Sequence, residues 1–582
     1  MSSLILKRPW SYKNTEEKLV RELSRKFSFP ESIASYLVAR GLKTGDEIES
    51  HLETGLSRLG NSNPFAMKGM NRAVKRLVRA VLNREKVGIF GDYDADGVTS
   101  SALVFLFLRE LGLECCVYIP HREKEGYGLS IQGLDYLAAQ GCRLVITVDC
   151  GIASLDEAEY AAGAGLDLII TDHHQPQDRL PRCLSAINPR QNGCKFPFKD
   201  LAGVGVAFNL IRALRTELYN SGHWNGDRPP NLRNYLDLVA IGTVSDIMPL
   251  FQDNRIMVKS GLQVLQEARR PGIRALMAAA NLSGSLTSTD IAFRLGPRIN
   301  AAGRMDHAML AFDMLVSGSE EQAEDLARKL NRLNQQRQNQ EREILREALA
   351  EIRNMGERSS YVLADSNWKL GIVGIVASKL VERVQRPVIL LAIDGDEAAG
   401  SGRCPDGLDL FTMLSGCAPC LKRFGGHKAA AGVRLFTEKI DEFRFMLEEK
   451  SRLGLSAGLV SGTLDIDCEV NVQELFRPDY LQYIEALEPF GPGCPSPLFS
   501  MSSFSIRHSR IVGNSHLKLT VGNPDGNSHG AIRNLDMVAW GHGDKLSYSW
   551  HDMEIAFTPS VNNWQGRKTL QLVLKDARQR NT

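Results

Sequence analysis

The chain has 582 residues, with 70 Lys and Arg against 68 Asp and Glu, and its formal net charge is +2. This balance excludes a polybasic binder whose partner could be inferred from net charge alone. Hydrophobic residues make up 43% of the chain and charged residues 24%, which is ordinary for globular proteins and excludes disorder as the starting hypothesis. The length predicts roughly four domains.

Apolar runs and cysteines indicate a soluble protein of a reducing compartment. The longest purely apolar stretch, Ala102 to Leu108, is far shorter than the roughly 18 residues of a membrane span, and residues 1–10 lack the apolar core of a signal peptide. Cys417 and Cys420 have the spacing of a metal site, but no second pair completes it, which favours structural thiols over zinc or redox chemistry. We therefore expect a cytoplasmic protein without membrane contact.

The first two segments of the chain differ in their hydrophobic periodicity. Residues 1–85 carry apolar residues at helical spacing, which predicts a helical lead-in without evident chemistry. Residues 86–316 alternate short apolar runs with amphipathic stretches. Strands that alternate with helices in this way are typical of a parallel sheet with helices on both faces, so we expect an α/β domain there.

The rest of the chain predicts a long helix and two further domains. Over residues 317–356, Ser319 and Gln322 have capping-box spacing ahead of a charged stretch with few helix breakers. We expect one long, mostly exposed helix that joins two domains as a solvated spacer. Residues 357–455 again alternate strand and helix and predict a smaller α/β domain, whereas residues 456–582 have the β-branched alternation and turn residues of a small β-barrel.

Acidic and histidine side chains follow three strands predicted in the first α/β domain. These strands are Val87–Phe90, Leu144–Val148 and Leu168–Thr171. In an open parallel sheet, sites form outside the carboxyl ends of the strands, so these side chains should meet at one end of the sheet. They are Asp92, Asp94, Asp96, Asp149, Asp172, His173 and His174. Asp246 is a further candidate, because it follows the apolar run Leu236–Ile241, which could be a strand or a helix.

This concentration of carboxylates predicts bound cations, because neighbouring carboxylates raise one another's pKa unless positive charge compensates. Carboxylate and imidazole ligands without clustered thiolates suit Mn²⁺ or Mg²⁺ better than a structural zinc site. Five or six ligands exceed the need of one ion, which favours two ions about 3.5 to 4 Å apart, an arrangement that cleaves phosphodiesters. The alternative is structural, since an Asp after a strand is often a helix N-cap, and Asp96 or Asp172 could be only that.

Three of these segments resemble the motifs of the DHH phosphoesterase superfamily. The segments are Asp92–Gly97, Val148–Gly151 and Asp172–His174. Gly425–His427 and Ala429–Gly432 together resemble the signature of the associated DHHA1 domain. Within the superfamily the chain is similar to the bacterial RecJ family over almost its whole length, and this resemblance implies an OB-fold at the C-terminus. The supporting motifs are Glu125–Leu129, Gly296–Arg304 and Glu488–Gly493.

The resemblance implies a set of metal ligands. The expected ligands are Asp94, Asp96, Asp149, His173 and Asp246. Asp149 is expected to bridge the two ions, while Asp92 and His174 are expected as a further ligand and as catalytic support, respectively. Hydrolysis in such a site requires no Ser or Cys nucleophile.

The resemblance also implies a pocket for a 5′-phosphate between the two α/β domains. Its expected residues are Arg304, Ser401, Arg403, Gly425, Gly426 and His427. A guanidinium binds phosphate oxygens bidentately, and glycines let backbone N–H groups approach them. The alternative for these positions is a surface ion pair or a helix C-cap. Arg122 and Tyr127 are expected along the path of the strand, by salt bridge and by stacking.

The implied activity is that of a 5′ to 3′ exonuclease specific for single-stranded DNA, which releases 5′-mononucleotides by two-metal-ion hydrolysis and acts in DNA repair and recombination. The implied partners are single-stranded DNA, a single-strand-binding protein and a helicase, and the expected state is a monomer. One alternative is a phosphodiesterase of the same superfamily that acts on short oligonucleotides or cyclic dinucleotides; such relatives generally lack the barrel. The other alternative is a non-catalytic scaffold that binds single strands.

Two residues depart from the pattern of the family, and one aromatic residue allows two interpretations. Lys369 stands where His is usual, and Cys404 stands where Ser is usual. Both concern the geometry of the phosphate pocket and not the predicted metal ligands. Trp564 could stack on a base or pack within the barrel.

Overall fold

The computed structural model describes most of the chain. The described residues are 9–122, 124–224, 226–455, 463–513, 515–523, 534–545, 550, 552–564 and 567–580. They form two α/β domains and a C-terminal β-domain, which confirms the fold class expected from the sequence. In this part of the chain, no helix has both the length and the apolar character that crossing a lipid bilayer requires.

The N-terminal region is helical, as predicted, but its helices serve two different domains. Its elements are β1 (Trp10–Tyr12), α1 (Glu17–Phe27), α2 (Glu31–Ala39), α3 (Gly45–Leu52) and α4 (Met70–Asn83). Leu23, Leu37 and Ile48, from α1 to α3, are buried in one core with the C-terminal domain. Helix α4 instead packs on the first α/β domain through Val74 and Leu77. The N-terminal region therefore connects the last domain with the first.

The first α/β domain is built on an all-parallel sheet. Its elements up to the last strand are β2 (Val87–Gly91), α5 (Ala95–Glu110), β3 (Cys115–Tyr118), α6 (Ile131–Ala139), β4 (Leu144–Val148), α7 (Leu155–Gly163), β5 (Asp167–Thr171) and β6 (Ser185–Ile187). The strand order is β3-β2-β4-β5-β6. Every residue of β2 and β4 is buried, as expected for strands covered on both faces. The three strands that end in acidic residues, β2, β4 and β5, are direct neighbours.

Further helices complete this domain. They are α8 (Gly203–Asn220), α9 (Leu236–Ser245), α10 (Gln252–Glu267), α11 (Pro271–Ala279), α12 (Ser288–Asp290), the π-helical segment Ile291–Leu295, α13 (Gly296–Met305) and α14 (Met309–Val316). The run Leu236–Ile241, for which strand and helix were both open, is helical. Helix α9 is buried from Leu236 to Val244, so no polar face gave it a helical periodicity in the sequence.

A single helix, α15 (Glu320–Met355), joins the two α/β domains over 36 residues. The hydroxyl of Ser319 accepts a hydrogen bond from the N–H of Gln322, whereas the Gln322 side chain accepts from Ser317, so the predicted capping box is half formed. The prediction of a solvated spacer is wrong, because α15 buries one stripe of small and apolar side chains. The stripe consists of Ala323, Ala327, Leu330, Ile344, Ala348 and Ile352. Its first half packs on the first α/β domain and its second half on the second.

The second α/β domain has a mixed sheet. Its elements are β7 (Tyr361–Asp365), α16 (Leu370–Val384), β8 (Val388–Asp394), β9 (Glu397–Arg403), α17 (Leu410–Ser415), β10 (Arg423–Gly426), β11 (Ala430–Phe436) and α18 (Ile440–Leu455). The order is β10-β11-β9-β8-β7, with β7 and β8 parallel and the other pairs antiparallel. Cys417 and Cys420 are free and lie buried in the core of this domain, as expected of structural thiols.

The C-terminal domain contains a seven-stranded β-sheet, and two short helices lie between the first two strands of that sheet along the chain. Its elements are β12 (Leu464–Ile466), β13 (Cys468–Glu469), α19 (Val472–Leu475), α20 (Tyr480–Leu487), β14 (Phe499–Met501), β15 (Ser505–Val512), β16 (His516–Gly522), β17 (Asn534–Ala539), β18 (Met553–Trp564) and β19 (Arg567–Gln579). The main sheet has the order β13-β14-β18-β19-β17-β16-β15, while β12 pairs with β1. The indole of Trp10 donates to Asp576 at 2.8 Å, which fixes the N-terminal strand to this domain.

Candidate active site

Adjacent strand ends bring the predicted acidic residues together. Strand β2 is paired with β4 so that Gly91 lies opposite Val148, and β4 is paired with β5 so that Val148 lies opposite Thr171. The residues that follow these three positions therefore leave the sheet side by side. This places Asp92, Asp149 and Asp172 at one end of the sheet, as the sequence predicted.

Seven predicted residues form what we call the acidic cluster. Its members are Asp92, Asp94, Asp96, Asp149, His173, His174 and Asp246. They fall into three overlapping sets whose ligand atoms lie within 4.8 Å of one another. Asp149 belongs to two of these sets and His173 to two, so the sets form one continuous centre.

Asp172 has a different role from its neighbours. Its Oδ1 accepts from the N–H groups of His173 at 2.7 Å and His174 at 3.0 Å, and from Nδ1 of His174 at 2.8 Å. Its Oδ2 accepts from the N–H of Ile152 at 2.9 Å. All these bonds lie within the chain, so Asp172 orients the two histidines and is not itself a member of the cluster.

Asp246 reaches the acidic cluster from a helix end. It directly follows α9, and its Oδ2 lies 3.5 Å from Nε2 of His173. Asp94 and Asp96 likewise belong to a helix start, because Oδ1 of Asp94 accepts from the N–H groups of Asp96 and Gly97 at 2.9 and 3.1 Å. Asp94 is therefore the N-cap of α5, and its second oxygen stays available to a ligand. The N-cap alternative for Asp96 and Asp172 is wrong, because Asp96 lies within α5 and the described residues between β5 and β6 form no helix.

Some residues that support the acidic cluster were missed in the sequence. The N–H groups of Gly203 and Val204, at the start of α8, donate to the carboxylate of Asp96 at 2.6 and 2.9 Å. A side chain at position 203 would come within 2.5 Å of Oδ1 of Asp149, so only glycine fits there. Asn300 accepts from the N–H of Ala95 at 2.8 Å and so ties α13 to the start of α5. In the sequence, the glycines around position 203 were the only indication that the backbone approaches the acidic cluster there.

Several polar atoms of the acidic cluster are buried without a hydrogen-bond partner in the described part of the chain. They are Oδ1 of Asp92, Oδ1 of Asp149 and both ring nitrogens of His173. Nε2 of His173 lies 3.2 Å from Oδ1 of Asp149, but without the geometry of a hydrogen bond. Buried polar atoms without partners cost free energy, so they indicate a missing ligand. Oxygen and imidazole donors in this arrangement fit divalent cations such as Mn²⁺ and Mg²⁺.

The pKa values of the cluster are shifted first by burial and then by the charges of neighbouring members. Burial, followed by the charge of Asp94, raises the pKa of Asp96 to about 7. Burial and then the charge of Asp96 raise the pKa of Asp246 to about 9, and the same causes hold the pKa of Asp149 well above its usual range. Burial lowers the pKa of His173 to about 4. His173 is therefore neutral near pH 7, and cations would allow the carboxylates to ionise together.

His174 and Tyr127 form the open side of the cluster. Burial alone would lower the pKa of His174, but the hydrogen bond and charge of Asp172 raise it to about 9. The hydroxyl of Tyr127 lies 3.0 Å from Nδ1 of His174, and the two rings meet edge to face at 5.3 Å. Tyr127 is 51% exposed, so it can still offer its ring to a substrate beside the metal site. Arg122 lies over the ring of Tyr93 at 4.9 Å.

Arg304, Ser401 and Arg403 surround the first turns of α16, and we call this arrangement the terminus pocket. Arg304 donates to the carbonyl oxygen of Gly371 at 2.8 Å. A side chain at Gly374 would lie 3.1 Å from the Ser401 hydroxyl and 3.3 Å from the Arg403 guanidinium. Burial and the charge of Arg122 lower the pKa of Arg304 to about 9. An anion placed there would compensate these cations and meet the positive end of the helix dipole of α16.

Gly425 and Gly426 adjoin the terminus pocket through the sheet. Gly425 pairs with Gly432, which pairs in turn with Ser401. Nothing lies within 4 Å of where a side chain at Gly425 would start, so the backbone there is open to a ligand. His427 is exposed, and its N–H donates to the carbonyl oxygen of Ala430. The structure therefore brings these residues to the same side of the domain, with His427 at the margin.

The two departures from the family pattern have different surroundings. Lys369 precedes α16 and lines, with Arg304, a cavity of about 610 Å³ between the two α/β domains. Cys404 is buried, and its thiol donates to the carbonyl oxygen of Lys428 at 3.0 Å. Lys369 therefore adds a cation near the terminus pocket, whereas Cys404 is part of the core. The side chain of Trp564 lies outside the described residues.

Three protein families match the chain in the order in which its domains occur. The DHH family, N-terminal domain, matches residues 86–243. The DHHA1 domain matches residues 342–452, and the RecJ OB domain matches residues 466–576. The acidic cluster is contained in the first region except for Asp246, which lies three residues beyond it.

Relatives and solved structures cover nearly the whole chain. Single-stranded-DNA-specific exonuclease RecJ of Bacillus subtilis (strain 168) is 36% identical over 99% of this chain and 71% of its own length. The protein of the same name from Escherichia coli (strain K12) is 36% identical over 94% of this chain and 95% of its own length. The crystal structure of RecJ in complex with Mn²⁺ from Thermus thermophilus has a TM-score of 0.80 at 28% identity, covering 99% of this chain and 80% of that chain. The chain therefore belongs to the RecJ family of the DHH superfamily.

Proposed function

We propose that this protein is a metal-dependent exodeoxyribonuclease that degrades single-stranded DNA from its 5′ end and releases 5′-mononucleotides. The observation that carries the proposal is the acidic cluster, whose buried carboxylate and imidazole atoms lack partners within the described chain. Relatives at 36% identity over nearly the whole chain are named single-stranded-DNA-specific exonuclease. Family membership and local chemistry therefore support the same activity.

The cofactor is a pair of Mn²⁺ or Mg²⁺ ions. Solved RecJ structures from Thermus thermophilus contain Mn²⁺ in one case and Mg²⁺ in another. When bound, such ions activate the attacking water and neutralise the charge that develops on the phosphate. The residues proposed to hold them are Asp92, Asp94, Asp96, Asp149, His173 and Asp246. Asp172 keeps His174 protonated and oriented at the open side, where it can donate a proton or a hydrogen bond.

The polarity of degradation follows from the proposed role of the terminus pocket. Arg304 and Arg403 supply guanidinium groups, and Ser401 and Gly425 supply a hydroxyl and an open backbone. A dianionic 5′-phosphate satisfies these groups better than a 5′-hydroxyl or an internal phosphate does. Anchoring the terminal phosphate there would leave the first phosphodiester near the acidic cluster, which is the geometry of a 5′ exonuclease.

The partners follow from the C-terminal domain and from the family. The domain matched as the RecJ OB domain is proposed to hold the single strand beyond the catalytic domain. We propose that a helicase and a single-strand-binding protein supply the substrate in repair and recombination. A monomeric, cytoplasmic enzyme is part of the same proposal.

Product analysis tests the proposal directly. Wild-type protein with Mn²⁺ is incubated with 5′- or 3′-end-labelled DNA and RNA, single- or double-stranded, with and without EDTA. We expect 5′-mononucleotides to appear from 5′-phosphorylated single-stranded DNA, and EDTA to abolish their release. Absence of shortening with Mn²⁺, or full activity of Asp149→Ala, would refute the assignment.

The two alternatives receive less support. A phosphodiesterase for short oligonucleotides or cyclic dinucleotides does not need the RecJ OB domain that spans residues 466–576. A non-catalytic scaffold would not need a complete acidic cluster, whereas every predicted ligand is present here. Metal titration by calorimetry separates the scaffold from the enzyme. The enzyme should bind metal with a heat that Asp149→Ala abolishes, whereas a scaffold without metal function should show no such heat.

A further inference from the structure

Two exposed apolar side chains lie on one cavity next to the acidic cluster. Among the large hydrophobic side chains of the described residues, Phe293 at 74% and Ile247 at 72% have the greatest exposed fractions. Both line a cavity of about 580 Å³. Surface apolar residues that occur singly need no explanation, but two such residues on one apolar cavity mark a binding site.

The cavity is apolar and uncharged. Its walls are the end of α9, the segment from Ser288 to Phe293, and the linker from Phe490 to Ser496, which joins α20 to β14 within the C-terminal domain. No charged side chain is found among the described residues that line it. The carbonyl oxygen of Pro492 accepts from the N–H of Leu250 at 2.8 Å, which holds the linker against the catalytic domain. The cavity therefore has fixed walls and no group that would select a charged ligand.

Both exposed side chains lie where the backbone is irregular. Ile247 has φ of 57°, which a β-branched residue adopts only at a cost in free energy. Phe293 lies in the π-helical segment Ile291–Leu295, and such segments occur frequently at functional sites. Two separate backbone irregularities thus coincide with one exposed apolar surface.

The position of this surface relates it to the reaction. Ile247 directly follows Asp246, so its Cα lies about 3.8 Å from that of a cluster residue. Phe293 and Arg304 lie on one continuous helical run, roughly 16 Å apart at 1.5 Å per residue. Between them, Asn300 contacts the start of α5, where the acidic cluster begins. Along this run the order is apolar surface, acidic cluster and terminus pocket.

We propose that Ile247 and Phe293 form a base platform on which the bases just 3′ of the cleaved phosphodiester stack. This inference rests on the proposed function, because it places a strand whose 5′ end is in the terminus pocket. Every base presents an aromatic face, so an uncharged apolar platform accepts any sequence, as an exonuclease requires. The platform positions the strand; it takes no part in bond cleavage.

Substitution of Phe293 tests the platform with a matched control. Base–aromatic stacking predicts that Phe293→Ala raises KM for a 5′-phosphorylated 20-nucleotide strand by about 5- to 150-fold, with kcat nearly unchanged. Phe293→Tyr should restore the wild-type KM. Phe445→Ala is the control, because Phe445 is 70% exposed but lies on α18, away from the cavity. Equal KM values for Phe293→Ala and Phe445→Ala would overturn the inference.

A second measurement locates the contact on the substrate. Strands with abasic sites at the second to fourth nucleotides should lose affinity for wild-type protein but show little further loss with Phe293→Ala. Independent, additive losses would overturn the proposal, and would also be the result if the cavity served a peptide instead. Failure of wild-type protein to degrade the intact strand would refute the proposed function. Normal degradation of that strand, with additive losses from the abasic sites and from Phe293→Ala, would refute only the base platform.

Discussion

Two buried charged groups of this protein differ in what surrounds them. Arg255, on α10, is 1% exposed, and its guanidinium donates to backbone carbonyl oxygens from two other regions. These oxygens belong to His51, Ala486, Leu487, Glu488 and Pro489. Asp149 is 2% exposed, but its Oδ1 has no hydrogen-bond partner among the described residues. The two side chains are almost equally buried, but Arg255 is fully hydrogen-bonded whereas Oδ1 of Asp149 is not.

This difference separates charges that hold the fold from charges that await a ligand. Arg255 uses each of its nitrogens within the chain and joins α3, α10 and the end of α20, so the fold itself accounts for its burial. A buried carboxylate without partners is unfavourable unless something outside the chain compensates it. Arg304 lies between these extremes, since its guanidinium donates to the carbonyl oxygen of Gly371 but faces a cavity. The three sites predict three different responses to substitution.

Asp149→Asn removes the central carboxylate and should have the largest effect. An amide cannot bridge two cations as a carboxylate does, so we expect turnover with Mn²⁺ to fall on the order of 10³-fold or more. Because the charges of Asp96 and Asp94 oppose ionisation of Asp149, the variant in EDTA should be at least as stable as the wild type in EDTA. Asp178→Asn is the control, since Asp178 is exposed. Thermal unfolding that shows a destabilised metal-free variant would contradict this expectation.

Arg255→Met should affect stability and leave the chemistry intact. Loss of the guanidinium leaves several buried carbonyl oxygens unpaired, and we expect the free energy of unfolding to fall by about 3 kcal/mol. Lys259→Met is the comparison, because the Lys259 ammonium donates to the carbonyl oxygen of Ala486 at 3.3 Å and its loss should cost about 1 kcal/mol. Urea unfolding measures both, and the folded variant should keep its response to Mn²⁺. Equal losses of unfolding free energy in the two variants would contradict the expectation that Arg255 joins α3, α10 and the end of α20.

Arg304→Ala should change the preference for the 5′ end. A charged hydrogen bond contributes about 2 kcal/mol, so the ratio of kcat/KM for 5′-phosphorylated over 5′-hydroxyl strands should fall about 30-fold. Arg304→Lys should recover only part of it, because an ammonium cannot bind phosphate bidentately. The exposed Arg346 on α15 provides the control substitution. If this ratio is unchanged while overall activity falls, Arg304 stabilises the fold and does not bind the 5′-phosphate.

Local sequence patterns predicted the parts of the site that depend on local structure. The apolar runs identified β2, β4 and β5, and the rule that sites form at strand ends placed Asp92, Asp149 and the histidines together. The resemblance to the family added Asp246 as an expected ligand, although the hydrophobic pattern did not decide whether the preceding run Leu236–Ile241 is a strand or a helix. The exact domain limits and the roles of individual site residues stay predictions.

Contacts between distant segments could not be predicted in the same way. Half of the residues in the buried stripe of α15 are alanines, and the helix around them is charged, so its composition did not indicate that it packs on both domains. The N-terminal helices bury Leu23 and Leu37 against strands at the other end of the chain, and no periodicity encodes the partner of an apolar face. The support of Asp96 by Gly203 and Val204 uses backbone N–H groups, which leave little trace in side-chain chemistry.

The pH dependence of metal-free stability tests whether Asp246 and His174 hold protons in the folded state of the metal-free protein. The pKa values of Asp246 and His174 are both raised to about 9, so the folded state holds protons that the unfolded state has lost by pH 7 to 9. Stability in EDTA should therefore fall as pH rises through this window, by at most about 1.4 kcal/mol per pH unit for each proton.

Mn²⁺ should reverse the trend, because deprotonated ligands bind it more tightly. Melting temperatures at several pH values measure both slopes, and Asp246→Asn should flatten the metal-free slope. A metal-free stability that is constant from pH 7 to 9 would mean that folding does not raise the pKa of Asp246 or His174, and the case for cations at this centre would lose its electrostatic basis.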